Sequence, residues 1–319
     1  MGYNDANSVC PFLMARVYLA GRERTKEMII SPKYDDMMKE LFHNETVLRY
    51  FLSDILRVRL DRIQNLRIRS PFLRKRGRKE KQGILDVVAE FGDDTKVNVE
   101  LQVRIVRNWD KRQLFYLAKM YTEELIKGED YSRLKRCVGI SLLDFNLSDR
   151  PKYHTVYRLR DEEGNEFTDA LEIHVLELSK PLTGKEKADE WIQFFNVKTE
   201  EDLKMIKAKT KNPGILEAIR ELRRLSLDSP MKWRYDAYMK RKRDEKAREA
   251  YVWEEGEARG ENYKLVSMVC RKLRKGKEPE RIAEELEEEV ELIQRICQTA
   301  KEFGPGYDEE KVFKAYMGQ

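Results

Sequence analysis

Between residues 85 and 102 apolar and polar positions alternate through two consecutive runs. Leu85, Val87, Ala89 and Phe91 alternate with Asp86 and Glu90, then Val97, Val99 and Leu101 alternate with Asn98, Glu100 and Gln102. A period of two predicts two strands, each with one buried face, and Gly92, Asp93 and Asp94 supply the turn between them. Helical spacing surrounds this hairpin. Met37, Met38, Leu41 and Phe42 predict a short helix after Ser31, a possible cap, and Pro32, a natural first helical residue, which puts Asp35 in the first turn. Val47, Leu48, Phe51, Leu52, Ile55 and Leu56 predict a second helix over about 45–57, and Ile63, Leu66 and Ile68 an extended segment before Pro71.

Beyond the hairpin, Asn108-Trp-Asp opens a helix expected to run to about Lys127 and stop at Gly128. Leu114, Leu117, Ala118, Tyr121 and Leu125 are its expected buried stripe. The apolar run within 136–145 reads as a strand buried on both faces, and 153–159 with 170–178 as a further hairpin. This order predicts an α/β core with a mixed central sheet flanked by helices, ending near Pro181. The pattern is helical from there on, with Trp191, Ile192, Phe194 and Phe195 in one segment and Ile215, Leu216, Ile219, Leu222 and Leu225 in another. A charged connecting helix is expected over 231–257, a flexible joint at Gly256 to Gly260, and two short helices over 277–286 and 290–296. The expected division is a lead-in over 1–30, a core over 31–181, a helical extension over 182–255 and a charged helical tail over 256–319.

A turn centred on Asp93 sets Asp86 opposite Glu100 and Ile84 opposite Gln102, all on one face. Facing Cβ atoms lie roughly 4.5 to 5.5 Å apart. Two carboxylates at that distance repel unless a divalent cation with oxygen ligands, Mg²⁺ or Mn²⁺, lies between them. The other reading is a solvated polar hairpin face, where such a pair costs a few tenths of a kcal/mol.

The surrounding motifs carry a resemblance. Lys33-Tyr-Asp-Asp-Met-Met-Lys-Glu-Leu-Phe42 and Val47-Leu-Arg-Tyr-Phe-Leu-Ser-Asp-Ile-Leu56 precede the hairpin. Arg112-Gln-Leu-Phe-Tyr-Leu117, Tyr121, Leu125, Gly128, Tyr131 and Val138-Gly-Ile-Ser-Leu-Leu-Asp-Phe145 follow it. Over about 31–145 this order resembles the PD-(D/E)XK nuclease family transposases, the recombination-promoting nucleases. The resemblance implies a restriction-endonuclease-like core and a metal-dependent DNA endonuclease linked to transposition or recombination. It further implies that Asp86 and Glu100 hold the catalytic metal, with the Leu101 carbonyl a possible third ligand, and that Asp35 matches the aspartate before the family's Leu-Phe pair. Gln102 matches the family's Glu-x-Gln in place of the wider superfamily's Glu-x-Lys. A neutral amide orients water or a phosphate oxygen, whereas a lysine also stabilises developing charge, so the resemblance implies activity that is weak or absent. Leu85 stands where the motif's proline would precede Asp86.

Arg74, Lys75, Arg76, Arg78, Lys79 and Lys81 make six of eight residues basic just before the hairpin. They either neutralise DNA phosphates beside a cleavage site or form a solvated loop. Lys111 and Arg112 reach toward the same phosphate, or Arg112 pairs with a carboxylate. With 63 basic and 58 acidic residues the net charge is only +5, so basic surfaces are local. Cys10, Cys137, Cys270 and Cys297 and the three histidines show no zinc spacing, and the run 11–20 is interrupted by Arg16. A cytoplasmic protein without a membrane span is expected. The acidic run 284–291 weighs against DNA reading by the last helices and favours docking or homo-oligomer formation. Two rivals remain open: a DNA-binding protein that has lost cleavage, and an interaction protein recruiting partners through its tail.

Overall fold

The computed structural model describes residues 29–72, 85–92, 95–123, 125 and 128–318. The lead-in up to residue 28, the basic loop carrying Arg74, Lys75, Arg76, Arg78, Lys79 and Lys81, Ile84 and the turn residues Asp93 and Asp94 lie outside the described residues.

Helices α1 (Asp35–His43) and α2 (Glu45–Leu56) precede strand β1 (Arg67–Arg69). The hairpin follows as β2 (Val87–Phe91) and β3 (Thr95–Gln102), and α3 (Trp109–Thr122) leads to β4 (Cys137–Leu143). Strands β5 (His154–Arg160) and β6 (Glu166–Glu177) complete one six-stranded sheet of order β1-β2-β3-β4-β6-β5. Four helices come next: α4 (Ala188–Phe195), α5 (Glu200–Lys209), α6 (Pro213–Leu227) and α7 (Ser229–Leu273). The last are α8 (Pro279–Leu286), α9 (Val290–Ala300) and α10 (Glu309–Met317). The sheet is mixed: β3, β4 and β6 run parallel, and β1, β2 and β5 are antiparallel to their neighbours. The parallel step from β3 to β4 requires a crossover, which α3 supplies.

Four local expectations need correction. The strands β2 and β3 are buried on both faces, not one, because β3 lies inside the sheet and α3 covers the face bearing Val88 and Cys137. Helix α1 begins at Asp35 rather than Pro32; the Ser31 hydroxyl and carbonyl instead close a turn onto the Lys33 and Tyr34 amides. Helix α3 ends at Thr122, well before Gly128, and its buried stripe is Trp109, Gln113, Leu117 and Met120. Leu114 is 57% exposed. Finally, α7 runs unbroken through Gly256 and Gly260. Helical hydrogen bonding needs no side chain, and two glycines cost only about 1 kcal/mol each against alanine.

Residues up to Tyr235 form one compact unit and Asp236–Gln319 a second, the division falling inside α7. In the first unit the helices past Pro181 share the core of the early ones: Phe51 packs against Phe42 at 4.7 Å with the rings tilted, and edge-on against Trp191 at 5.3 Å. Buried Asp54 accepts hydrogen bonds from the Trp191 indole and the Asn212 amide. Gly214 lets α6 close on α2, since a Cβ there would lie 2.1 Å from Cβ of Tyr50. In the second unit Val266, Val269 and Cys270 of α7 pack with Ile282, Ile293, Ile296 and Val312. The helix pair anticipated over 277–296 appears as α8 and α9, whereas α5 and α10 were not anticipated.

Candidate active site on the hairpin

The ladder pairs Val87 with Val99, Val88 with Asn98 and Ala89 with Val97, the register expected from the alternation of the two runs. Asp86 directly precedes β2, so the continuing ladder brings it beside Glu100. Glu100 is 3% exposed. Its two oxygens are held by neighbours: Gln113 Nε2 donates to Oε2 at 2.6 Å and Asn98 Nδ2 to Oε1 at 3.1 Å. Arg112 stands 3.9 Å from Oε2, which is the carboxylate pairing weighed for it above. Lys111 is exposed on the first turn of α3.

Asp86 accepts the Leu101 N–H at Oδ2 (3.2 Å). A strand residue turns its N–H and C=O toward the same edge, so the Leu101 carbonyl faces the Asp86 side as well. The other oxygen, Oδ1, lies 3.3 Å from the Lys39 ammonium, which also binds Asp35 Oδ2 at 2.7 Å. Helix α1 therefore delivers one carboxylate and one ammonium to the mouth of the hairpin, spaced i and i+4 on one helical face. Burial, then the charge of Asp35, then that of Glu100 raise the Asp86 carboxyl to about 6, against the opposing pull of Lys39 and the Leu101 amide. Burial would lower Lys39, but Asp35 and Asp86 outweigh it and raise its proton affinity. Gln102 closes β3, half-buried, and its carbonyl accepts the Asp144 N–H at 2.9 Å.

Asp35, Asp86, Glu100, Leu101 and Gln102 are thus drawn to one end of the hairpin. Lys39, Gln113 and Asn98 were missed. The signals were present: a lysine four residues after Asp35, and a polar residue in the core stripe of α3, where burial demands a partner. Among the described residues no three His, Cys, Asp or Glu side chains group closely enough to hold a metal ion by themselves. The donor set nevertheless fits a hard divalent cation. Two carboxylates and a backbone carbonyl are oxygen donors of the kind Mg²⁺ and Mn²⁺ take, with water or phosphate completing the shell, and the charges of Asp35 and Glu100 add to burial in raising the Asp86 carboxyl.

A helix-flanked mixed sheet with acidic residues at the ends of two adjacent strands defines an α/β protein of the restriction-endonuclease-like class. The family model of PD-(D/E)XK nuclease family transposases matches residues 32–251, more than half of the chain, and the chain belongs to that family. Neither a curated protein nor a solved structure matches it. No described helix is long and apolar enough to cross a membrane, and the described cysteines, Cys137, Cys270 and Cys297, are buried.

Proposed function

We propose that this protein is a metal-dependent DNA endonuclease acting in transposition or recombination, with Asp86 and Glu100 as the carboxylate ligands of Mg²⁺ or Mn²⁺ and the Leu101 carbonyl as a third donor. The observation that carries this reading is the meeting of Asp35, Lys39, Asp86 and Glu100 at one end of the hairpin, with the Asp86 carboxyl raised to about 6. When bound, the ion supplies Lewis-acid polarisation of the phosphoryl oxygen and a source of hydroxide at neutral pH. Gln113 and Asn98 orient Glu100, and the Leu101 amide orients Asp86. Gln102 orients the attacking water. The Lys39 ammonium supplies from α1 the positive charge that Gln102 lacks, offsetting the charge that develops on phosphorus-bound oxygens. The basic loop over 74–81, together with Lys111, neutralises flanking phosphates. The helices of the second unit join copies of the chain.

A second reading has one observation in its favour: Glu100 is hydrogen-bonded at both oxygens and Asp86 is paired with Lys39, an arrangement suited to a DNA-binding protein that no longer cleaves. Incubation of supercoiled DNA with Mg²⁺ or Mn²⁺, beside calorimetric titration of Mn²⁺, separates the two. Cleavage and Mn²⁺ binding that both vanish in Asp86→Asn are expected. Equal Mn²⁺ affinity in wild type and variant removes the metal assignment. DNA binding without cleavage in either ion selects the second reading.

A further inference from the structure

Beside the hairpin end lies a cavity of about 710 Å³ framed by the lead-in to α1, the end of β4, the link from β6 to α4, and α5. It adjoins the candidate site through the backbone. Asp144, on its wall, donates its N–H to the Gln102 carbonyl, and its carboxylate binds Lys33 Nζ at 2.6 Å. Lys33 also reaches Asn196 Oδ1 at 3.0 Å, and Asn196 in turn donates to the Leu178 carbonyl at 2.7 Å. This wall is fixed and internally paired.

The opposite side is different in character. Met205 and Leu182 are 56% and 39% exposed and give the cavity an apolar surface open to solvent. Lys198 and Lys209 stand beside it, exposed, and neither forms a salt bridge with a carboxylate of the described residues. The nearby acid, Asp202, is taken up by the capping box at the start of α5, where it accepts the amides of Lys198 and Thr199.

An apolar platform with an exposed ammonium group at each end of α5 matches a nucleotide within a strand, whose base lies against a thioether and an aliphatic side chain while the phosphates on either side of it meet the lysines. The volume falls within the range of about 300 to 1,000 Å³ typical of small-ligand sites. We propose that this cavity holds an unpaired nucleotide flanking the phosphodiester at Asp86 and Glu100, so that the protein engages a single-stranded end or overhang and not only a continuous duplex. The inference rests on the nucleic-acid reading above and adds to it the form of the DNA. Leu182 and Met205 take the base, and Lys198 and Lys209, at opposite ends of α5, take the phosphates on either side of it.

The test uses the full chain in EDTA, so that binding is read without chemistry, by fluorescence anisotropy with a blunt duplex, the same duplex carrying a single-stranded overhang, and free dAMP. Two double variants are compared: Lys198→Glu with Lys209→Glu on the cavity, and Lys204→Glu with Lys207→Glu, which make the same charge change on α5 away from the cavity. All four lysines lie on the surface, and melting temperatures verify that both variants fold. Wild type is expected to prefer the overhang. The cavity pair should lose that preference, with a fall of about tenfold or more in overhang affinity, whereas the control pair weakens both DNAs alike. Equal losses in the two pairs, or no preference in wild type, overturn the cavity assignment while leaving DNA binding intact. Absence of any DNA binding in wild type overturns the nucleic-acid reading and the cavity with it. Binding of dAMP without overhang binding overturns the strand assignment in favour of a free nucleotide.

Discussion

At Asp86 opposing influences meet: burial and the carboxylates of Asp35 and Glu100 disfavour the ionised form, while the Lys39 ammonium and Leu101 amide favour it. The first set prevails, and the carboxyl titrates near 6 instead of 3.8. A carboxyl whose proton affinity is higher in the folded state makes its ionisation a cost of folding. Below about pH 4 the group is protonated in both states and costs nothing; between about 4 and 6 the folded state binds more protons; above 6 the full cost applies. That cost is of the order of 2–3 kcal/mol at most, reduced by solvent screening because about a fifth of the side chain is exposed. Asp86→Asn should therefore be more stable than wild type at pH 8 in EDTA, with the difference shrinking toward zero at pH 4. Urea midpoints across that range measure it, and a pH-independent difference would contradict the assignment. Lys39 supports the opposite kind of test. Lys39→Met removes a cation from beside the carboxylates, so it should tighten Mn²⁺ binding while abolishing cleavage, at a stability cost of about 1 kcal/mol. A merely structural lysine would not part those two readouts.

Among the elements, the hairpin was the most legible, because a period of two and a central turn residue together fix which side chains face one another. The same alternation misjudged burial. Whether a polar strand face meets water depends on neighbours distant in sequence: Glu90, Lys96, Asn98 and Glu100 are all buried, with Gln113 of α3 bonded to Glu100 and Arg69 of β1 to Glu90. The error in the stripe of α3 has a related origin. Leu114 was counted as core and Gln113 was not, since hydrophobicity alone cannot see that Glu100 needs a donor inside the protein. In α7 the error came from treating glycine as a break. Neither Gly256 nor Gly260 has a positive φ or a neighbour within 4 Å of where a Cβ would stand, so neither conformation nor packing calls for glycine there. Gly256→Ala and Gly260→Ala should each stabilise α7 by about 0.5–1 kcal/mol. Thermal melts of the full chain with circular dichroism at a helical wavelength read the gain. Destabilisation by either would mean that a bend is required at that point.

The molecule as a whole contains two hydrophobic units and one helix common to both. Composition located the charged region of that helix but not the division, because Trp191, Phe195 and Ile219 look like any amphipathic stripe until the faces of α1 and α2 that they cover are known. The helix itself raises a question of stability. From Lys240 to Glu261 every residue of α7 is exposed, so no tertiary burial supports this stretch, whereas β4 is buried along its whole length. Helical stability in water comes mainly from packing of an apolar face, and a run of this length held by propensity and i, i+4 charge pairs alone opens at small cost. Local opening exposes its amides without unfolding either core, while exchange from Cys137–Leu143 needs the first unit to open globally. Hydrogen exchange followed by mass spectrometry should show peptides within 240–261 fully deuterated long before those spanning β4, and a protease at low concentration should cut first in the same stretch. Protection in 240–261 equal to that of β4 would mean that this face of the helix is covered in solution, which is the outcome expected if copies of the chain associate along it. The dependence of that protection on protein concentration would then distinguish association from an intrinsically stable helix.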